Sequence, residues 1–198
     1  MGYAIAESLA EKGAQVMLVS GPVNITTSHP DIKIIHVISA REMYNESVRI
    51  FPGCDAAILS AAVSDYTPVV QFNKKMKRKE EKLHIELKPT VDIAAALGRI
   101  KKKNQFLVGF ALESENETWN ATKKIKNKNL DFIVLNSLRD KGAGFGTDTN
   151  KVTFIDRDNN IQEFELKQKK EVAEDIINKL EEYLDASGGL ESSDNDEN

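Results

Sequence analysis

The sequence predicts an α/β protein: a doubly wound, mostly parallel, Rossmann-like sheet with one antiparallel hairpin near the C-terminus. Three observations predict it. Short apolar runs of strand length recur along the chain, segments of helical periodicity separate them, and the runs end in small or turn-forming residues.

In chain order, Tyr3 to Lys12 reads as an amphipathic helix, with Ile5, Leu9 and small alanines for close packing and Gly13 as its stop. Gln15 to Ser20 is an apolar run ended by Gly21-Pro22 and reads as a buried parallel strand. Ile32 to Val37 is a second strand, Ala40 to Phe51 a helix, and Ala56 to Ser60 a third strand. Helix Val91 to Lys102 leads into strand Phe106 to Phe110, and a lysine-rich helix, Asn116 to Lys128, leads into strand Phe132 to Asn136. Lys151 to Asp156 and Ile161 to Leu166, separated by Arg157-Asp-Asn-Asn160, form the predicted hairpin, and helix Glu171 to Leu184 closes the domain. A helix at residue 3 that runs straight into a strand is the second half of a β-α-β unit. That topology asks for a strand and a glycine-rich turn ahead of it, because a parallel sheet without its first central strand exposes apolar edges. A different topology with no such strand is the competing reading.

With 198 residues, 40% hydrophobic and 29% charged, the chain has the make-up of one globular domain with a buried core. It holds no apolar run near the roughly 20 residues of a membrane span, and no secretory signal pattern at its start. The single cysteine, Cys54, has no internal disulfide partner and fits a reducing cytoplasm. Net charge is −4, but Asp185, Glu191, Asp194, Asp196 and Glu197 sit in the last stretch. Setting those five aside turns −4 into +1. Residues 1–184 are therefore the expected folded domain and 185–198 an expected disordered acidic tail.

Ligands of doubly wound sheets bind beyond the carboxyl ends of the strands. There Ser60-Ala-Ala-Val-Ser-Asp-Tyr-Thr-Pro68 offers small residues for close approach, and Asp65 either holds a cation or ribose hydroxyl or merely caps the next element. Asn73 to Lys79 carries five positive charges within six residues. It reads as a phosphate clamp, a nucleic-acid patch or a solvated loop. The near-neutral remainder and the lack of interleaved aromatics argue against nucleic acid, and the position after the Asp65 loop favours phosphate. Asp92 starts a helix, as an N-cap or beside an anion site. Phe110 either stacks on a base or fills the core. Lys123, Lys124, Lys126 and Lys128 read by default as a solvated helix face. The glycine-rich stretch Gly142 to Asn150 precedes a hairpin, so it matches neither a Walker loop nor a dinucleotide fingerprint. His29, His36, His84 and Cys54 lack metal-ligand spacing, and no G-x-S-x-G elbow is present.

Several segments, in order, resemble the bacterial phosphopantothenate–cysteine ligase (phosphopantothenoylcysteine synthetase) family. They are Met1 to Glu7, Val19 to Val23, Ala61 to Tyr66, Lys75 to Arg78, Pro89 to Ile93, Gly109 to Ala111, Lys128 to Asp131 and Gly144 to Asp148. The resemblance implies a Rossmann-like nucleotide site and a two-step reaction. The carboxylate of 4′-phosphopantothenate attacks the α-phosphate of CTP and pyrophosphate leaves; the amine of cysteine then displaces CMP. It implies Mg²⁺ on the phosphates, Lys75 as the catalytic triphosphate contact, and Asp65 as the nucleotide- or cation-contacting aspartate. Leu59, Ser60, Ala61, Asp92, Ile93, Ala94, Ala95, Phe110, Lys124 and Lys128 would line the nucleotide site. It also implies a homodimer.

The family carries a first strand, a glycine-rich turn and an Asn-x-Ser-Ser-Gly-type loop before the Met-Gly-Tyr segment, and many members are fused upstream to a flavin-dependent decarboxylase. This sequence shows neither, so low activity of these 198 residues alone is the expectation. Leu112 and Arg78 depart from the family's usual alanine and lysine. Two other classes compete. A nicotinamide-dependent reductase of the short-chain type would need Tyr-x-x-x-Lys, yet Tyr44 carries Val48-Arg49 at that spacing. A non-catalytic nucleotide-binding module would bind CTP without turnover.

Overall fold

The structure is a computed structural model that describes residues 1–70, 74, 83–113, 116–137 and 147–191, with side chains of the last helix up to Ala186. Helix α1 (Gly2–Glu11) leads to β1 (Val16–Ser20) and β2 (Ile32–His36). Helix α2 (Ala40–Ile50), a 3₁₀ turn (Phe51–Gly53) and β3 (Ala56–Leu59) follow, then β4 (Tyr66–Pro68) and β5 (Leu87–Pro89). Next come α3 (Ile93–Ile100), β6 (Phe106–Glu113), α4 (Glu117–Lys128) and β7 (Phe132–Ser137). The short strands β8 (Thr149–Asn150), β9 (Val152–Asp156), β10 (Ile161–Glu163) and β11 (Lys167–Gln168) precede α5 (Lys169–Glu191).

The central sheet has the order β10-β9-β7-β6-β3, with β3, β6 and β7 parallel and β9 and β10 antiparallel. The expected hairpin is therefore present, turning at Asn159 with φ of 62° while the Asp156 carboxylate accepts the amides of Asp158 and Asn160, both at 2.9 Å. Strand alternation splits the core into two layers. Phe106, Val108, Phe132 and Val134 face α1 and α5, whereas Leu107, Ala111, Ile133 and Leu135 face α3 and α4. Each layer holds side chains excluded from water on both sides of the sheet, which is why these runs are continuously apolar.

The sequence reading differs from the structure in three places. First, β1 pairs in parallel with β2 in a separate two-stranded sheet. The outer edges of β1 and β3 have no strand partner among the described residues, and β3 stays only half-buried where β6 is buried. Second, β4 and β5 form an antiparallel arm that no hydrophobic alternation announced. Third, α5 runs on to Glu191, past the expected end at Leu184, so part of the acidic segment is helical. No proline interrupts it, and its acidic residues are compatible with a solvated helix. Residues 192–198 lie outside the described residues.

Helices α3 and α4 meet through a glycine. A Cβ at Gly98 would collide with the carbonyl of Lys128. Gly98→Ala must push the helix ends apart, and it is expected to cost about 1–3 kcal/mol. Chemical denaturation of the variant checks this; an unchanged midpoint would show that the contact gives way freely.

Candidate functional site

Polar groups gather at the carboxyl ends of β1, β3 and β6. The hydroxyl of Tyr3 lies 3.1 Å from Ser20 Oγ, and Gly2 at the start of α1 stands against Ser60. Leu59 and Val63 pack with Ala94 of α3 in the same apolar layer, which draws the segment after β3 towards the start of α3. The β4–β5 arm completes the link. Thr90 donates its amide to the Asp65 carbonyl at 2.8 Å, so the Asp65 turn and the approach to Asp92 are tied together. The arm's far end leads into the basic run. Of that run only Lys74 is described, and Lys75 lies outside the described residues.

Asp92 caps α3 by accepting the Ala95 amide at 3.0 Å and pairs with Lys128 of α4 at 3.0 Å. Partial burial pushes its carboxyl up, but the Ala95 amide and Lys128 outweigh that and hold it below the usual carboxylate value. Asp92 is thus both a cap and part of a charged cluster. Lys124 pairs with Glu113 at the end of β6 at 2.5 Å, and Asn120 donates to the same carboxylate at 3.0 Å. A cavity of about 380 Å³ runs along this side of α4, lined by Glu113, Trp119, Asn120, Lys123, Lys124, Asn127 and Lys128.

The structure therefore brings Asp92, Lys124 and Lys128 together, with Ile93, Ala94 and Ala95 forming the first turn of α3 beside them. Leu59, Ser60, Ala61 and Asp65 form a second group at the end of β3. Phe110 is placed differently from the role of a stacking ring beside these lysines. It packs with the layer that holds Phe106 and Val108, on the face of the sheet away from α3 and α4. Glu113, Trp119 and Asn120 are not picked out from the sequence, and Lys123 reads there only as part of a solvated helix face; the signal available is the spacing of 119 with 123 and of 120 with 124 and 128 on one helix.

The Lys128-Asn-Leu-Asp131 stretch has a structural meaning. Asn129 ends α4 in a left-handed conformation, with φ of 53°, and donates to the Gly98 carbonyl at 2.8 Å. Leu130 is buried, and Asp131 sits in a buried ion pair with Lys101. Together they fix where Lys128 emerges. The remainder of the glycine-rich stretch, 142–146, lies outside the described residues, while Thr149 and Asn150 pair with β11.

Asp65 is exposed, and its carboxylate has no hydrogen bond or ion pair among the described residues. No group of three metal-ligating side chains occurs among them. A carboxylate with no partner among the described residues is a chemical fit for a hard cation. No helix among the described residues is long and apolar enough to cross a membrane.

A mostly parallel sheet with a charged cleft at its carboxyl ends defines a Rossmann-like α/β domain. The chain belongs to the DNA/pantothenate metabolism flavoprotein C-terminal domain family, whose pattern matches residues 1–184. It is 57% identical over 180 residues to a cysteine/cysteine sulfinic acid decarboxylase from an unknown prokaryotic organism, covering 91% of this chain and 50% of that protein. It is 42% identical over 180 residues to the coenzyme A biosynthesis bifunctional protein CoaBC of Bacillus subtilis (strain 168), covering 91% of this chain and 44% of that one. The crystal structure of the C-terminal domain of a coenzyme A biosynthesis bifunctional protein CoaBC superposes with a TM-score of 0.76 at 36% identity, over 93% of this chain and 82% of that chain. The chain spans about half the length of the curated relatives it matches.

Proposed function

We propose that this chain carries the nucleotide site of a phosphopantothenate–cysteine ligase acting in coenzyme A biosynthesis. The observation that carries the reading is the meeting of the capped α3 start with the α4 lysines at the carboxyl end of the sheet, in a chain similar to the C-terminal domain of CoaBC. The activity in the first relative's name belongs to that protein and is not carried over.

In the proposed reaction the carboxylate oxygen of 4′-phosphopantothenate bonds to the α-phosphorus of CTP, and the bond to the pyrophosphate oxygen breaks. The amine of cysteine then bonds to the acyl carbon, the bond to CMP breaks, and the amine sheds a proton. No residue here need act as a nucleophile. The chain's task is to hold and neutralise anions. Lys124 and Lys128, fixed in direction by Glu113 and Asp92, offer ammonium groups to the nucleotide. The Leu59-Ser60-Ala61 backbone lets it approach closely. Lys75 contacts the triphosphate from the basic run. Asp65 would hold Mg²⁺, which supplies charge neutralisation of the phosphates when bound. The assembly is a cytoplasmic homodimer in this reading, with no membrane or nucleic-acid partner.

The test mixes the protein with 4′-phosphopantothenate, cysteine and one nucleoside triphosphate at a time, following binding by calorimetry and acyl-nucleotide by mass spectrometry. CTP binding is the expected result, with acyl-cytidylate formed slowly and detected when cysteine is left out. CTP binding without any acyl-nucleotide would favour a non-catalytic module, and no nucleotide binding would sink the reading altogether.

A further inference from the structure

The chain's one tryptophan is out of place for a packing residue. Trp119 sits in the first turn of α4, a helix that buries only Ala121 and Ile125, and it is 64% exposed. An aromatic open to water presents a flat π-face and a polar N–H to a ligand. Its surroundings say for what. Lys123, one turn on, holds its ammonium 5.0 Å from the indole centroid, and both line the cavity that Lys124 and Lys128 share. Lys124 and Lys128 are met by the carboxylates of Glu113 and Asp92, whereas Lys123 has no ion pair among the described residues. The wall thus combines a flat π-surface, a cation that no carboxylate meets among the described residues and the side chain of Asn127. That combination fits an anionic ligand with a planar ring. Phe110, the aromatic that strand position offered for this task, has its ring on the other face of the sheet.

We propose that the indole of Trp119, backed by Lys123, is the stacking surface for the planar base of the nucleotide. The inference rests on the nucleotide reading above. Stacking on an aromatic is tolerant of base identity because every base has a π-face. Trp119 therefore supplies affinity for the base and does not choose between cytosine and adenine. The choice falls to hydrogen-bonding groups elsewhere in the site.

The single tryptophan makes the test direct. Its emission is followed while CTP, ATP or inorganic tripolyphosphate is added, alongside calorimetry on the same samples. CTP and ATP should quench emission saturably at the calorimetric Kd, and tripolyphosphate should not. Trp119→Ala should weaken CTP and ATP by the same factor, roughly tenfold. Trp119→Phe should recover most of the loss, and tripolyphosphate affinity should stay unchanged in both. If CTP binds but neither emission nor the Ala variant's Kd changes, the stacking surface is wrong while the nucleotide site stands. A parallel loss of tripolyphosphate affinity would also overturn it, by showing that the substitution acts on the phosphate site. If no nucleotide binds, both readings fall together.

Discussion

Replacing Asp131 with alanine is expected to cost about 3–5 kcal/mol of folding stability, a large share of what a domain of this size holds. Asp131 opens β7, and its carboxylate is 9% exposed against 6% for Lys101, whose ammonium it receives at 2.8 Å. The same oxygen accepts the Leu107 amide at 2.6 Å, and Arg157 approaches the other oxygen at 3.3 Å. The residue's own amide donates to the Leu107 carbonyl at 2.8 Å, so the start of β7 is pinned to β6 twice. Alanine would strand a buried ammonium and a buried amide together. The loss of one partner is worse than the absence of both, so Asp131→Ala with Lys101→Met should recover part of the deficit. Burial already holds the Lys101 ammonium below its ordinary value of 10.5, and the Asp131 pair opposes that shift. Without Asp131 it falls further. A lysine with a lowered folded value binds fewer protons folded than unfolded, so stability rises as pH climbs through that value towards 10.5. Asp131→Ala should therefore regain stability in alkali more steeply than the parent, as read by denaturant midpoints. A loss under about 1 kcal/mol would mean that water reaches the pair and that the buried geometry is not maintained in solution.

The parts of the fold that could be read in advance are those governed by local period. Phe106 to Phe110 and Phe132 to Asn136 are unbroken apolar runs because helices cover them on both faces, and Arg157 to Asn160 carries its turn chemistry in its own residues. The β4–β5 arm escaped because Tyr66-Thr-Pro68 and Leu87-Lys-Pro89 are too short to alternate, and each finds its partner across a long intervening segment. Charges misled for a related reason. The α4 lysines look like a solvated face from within the helix; Glu113 and Asp92, which turn two of them into parts of a cleft, come from β6 and the start of α3. Phe110 shows a finer limit. Its strand was legible, but that strand runs on past the predicted end at Phe110 to Glu113, and the side to which its ring turns follows from Phe106 and Val108 sharing the α1 and α5 layer. Helix α5 passes the predicted end at Leu184 and runs through Gly188 and Gly189 to Glu191, because acidic composition alone does not stop a helix and no proline interrupts the run.

Lys75→Ala is expected to lower pyrophosphate release by about 10²–10³-fold while leaving the denaturation midpoint unchanged. The argument begins with charge. A triphosphate whose α-phosphorus is attacked by a carboxylate brings several negative charges into one small volume, and the departing pyrophosphate gains more. Within the described cleft, Lys124 and Lys128 already face Glu113 and Asp92, so their charge is partly spent before a ligand arrives. The basic run from Lys74 to Lys79 is the remaining concentration of positive charge in the sequence between β4 and β5, the arm whose base ties Asp65 to Thr90. Lysine suits that task, being a compact charge on a flexible stem that can follow the phosphates as they separate. Removal of a contact made mainly in the transition state should fall on kcat more than on KM. Lys74→Ala and Lys77→Ala serve as controls, since a loss spread evenly over all three would mean that the run acts only as a diffuse field. Lys75→Ala with undiminished turnover would leave the ligase reading intact but move the triphosphate contact elsewhere, with Lys123 beside Trp119 as the next cation to examine.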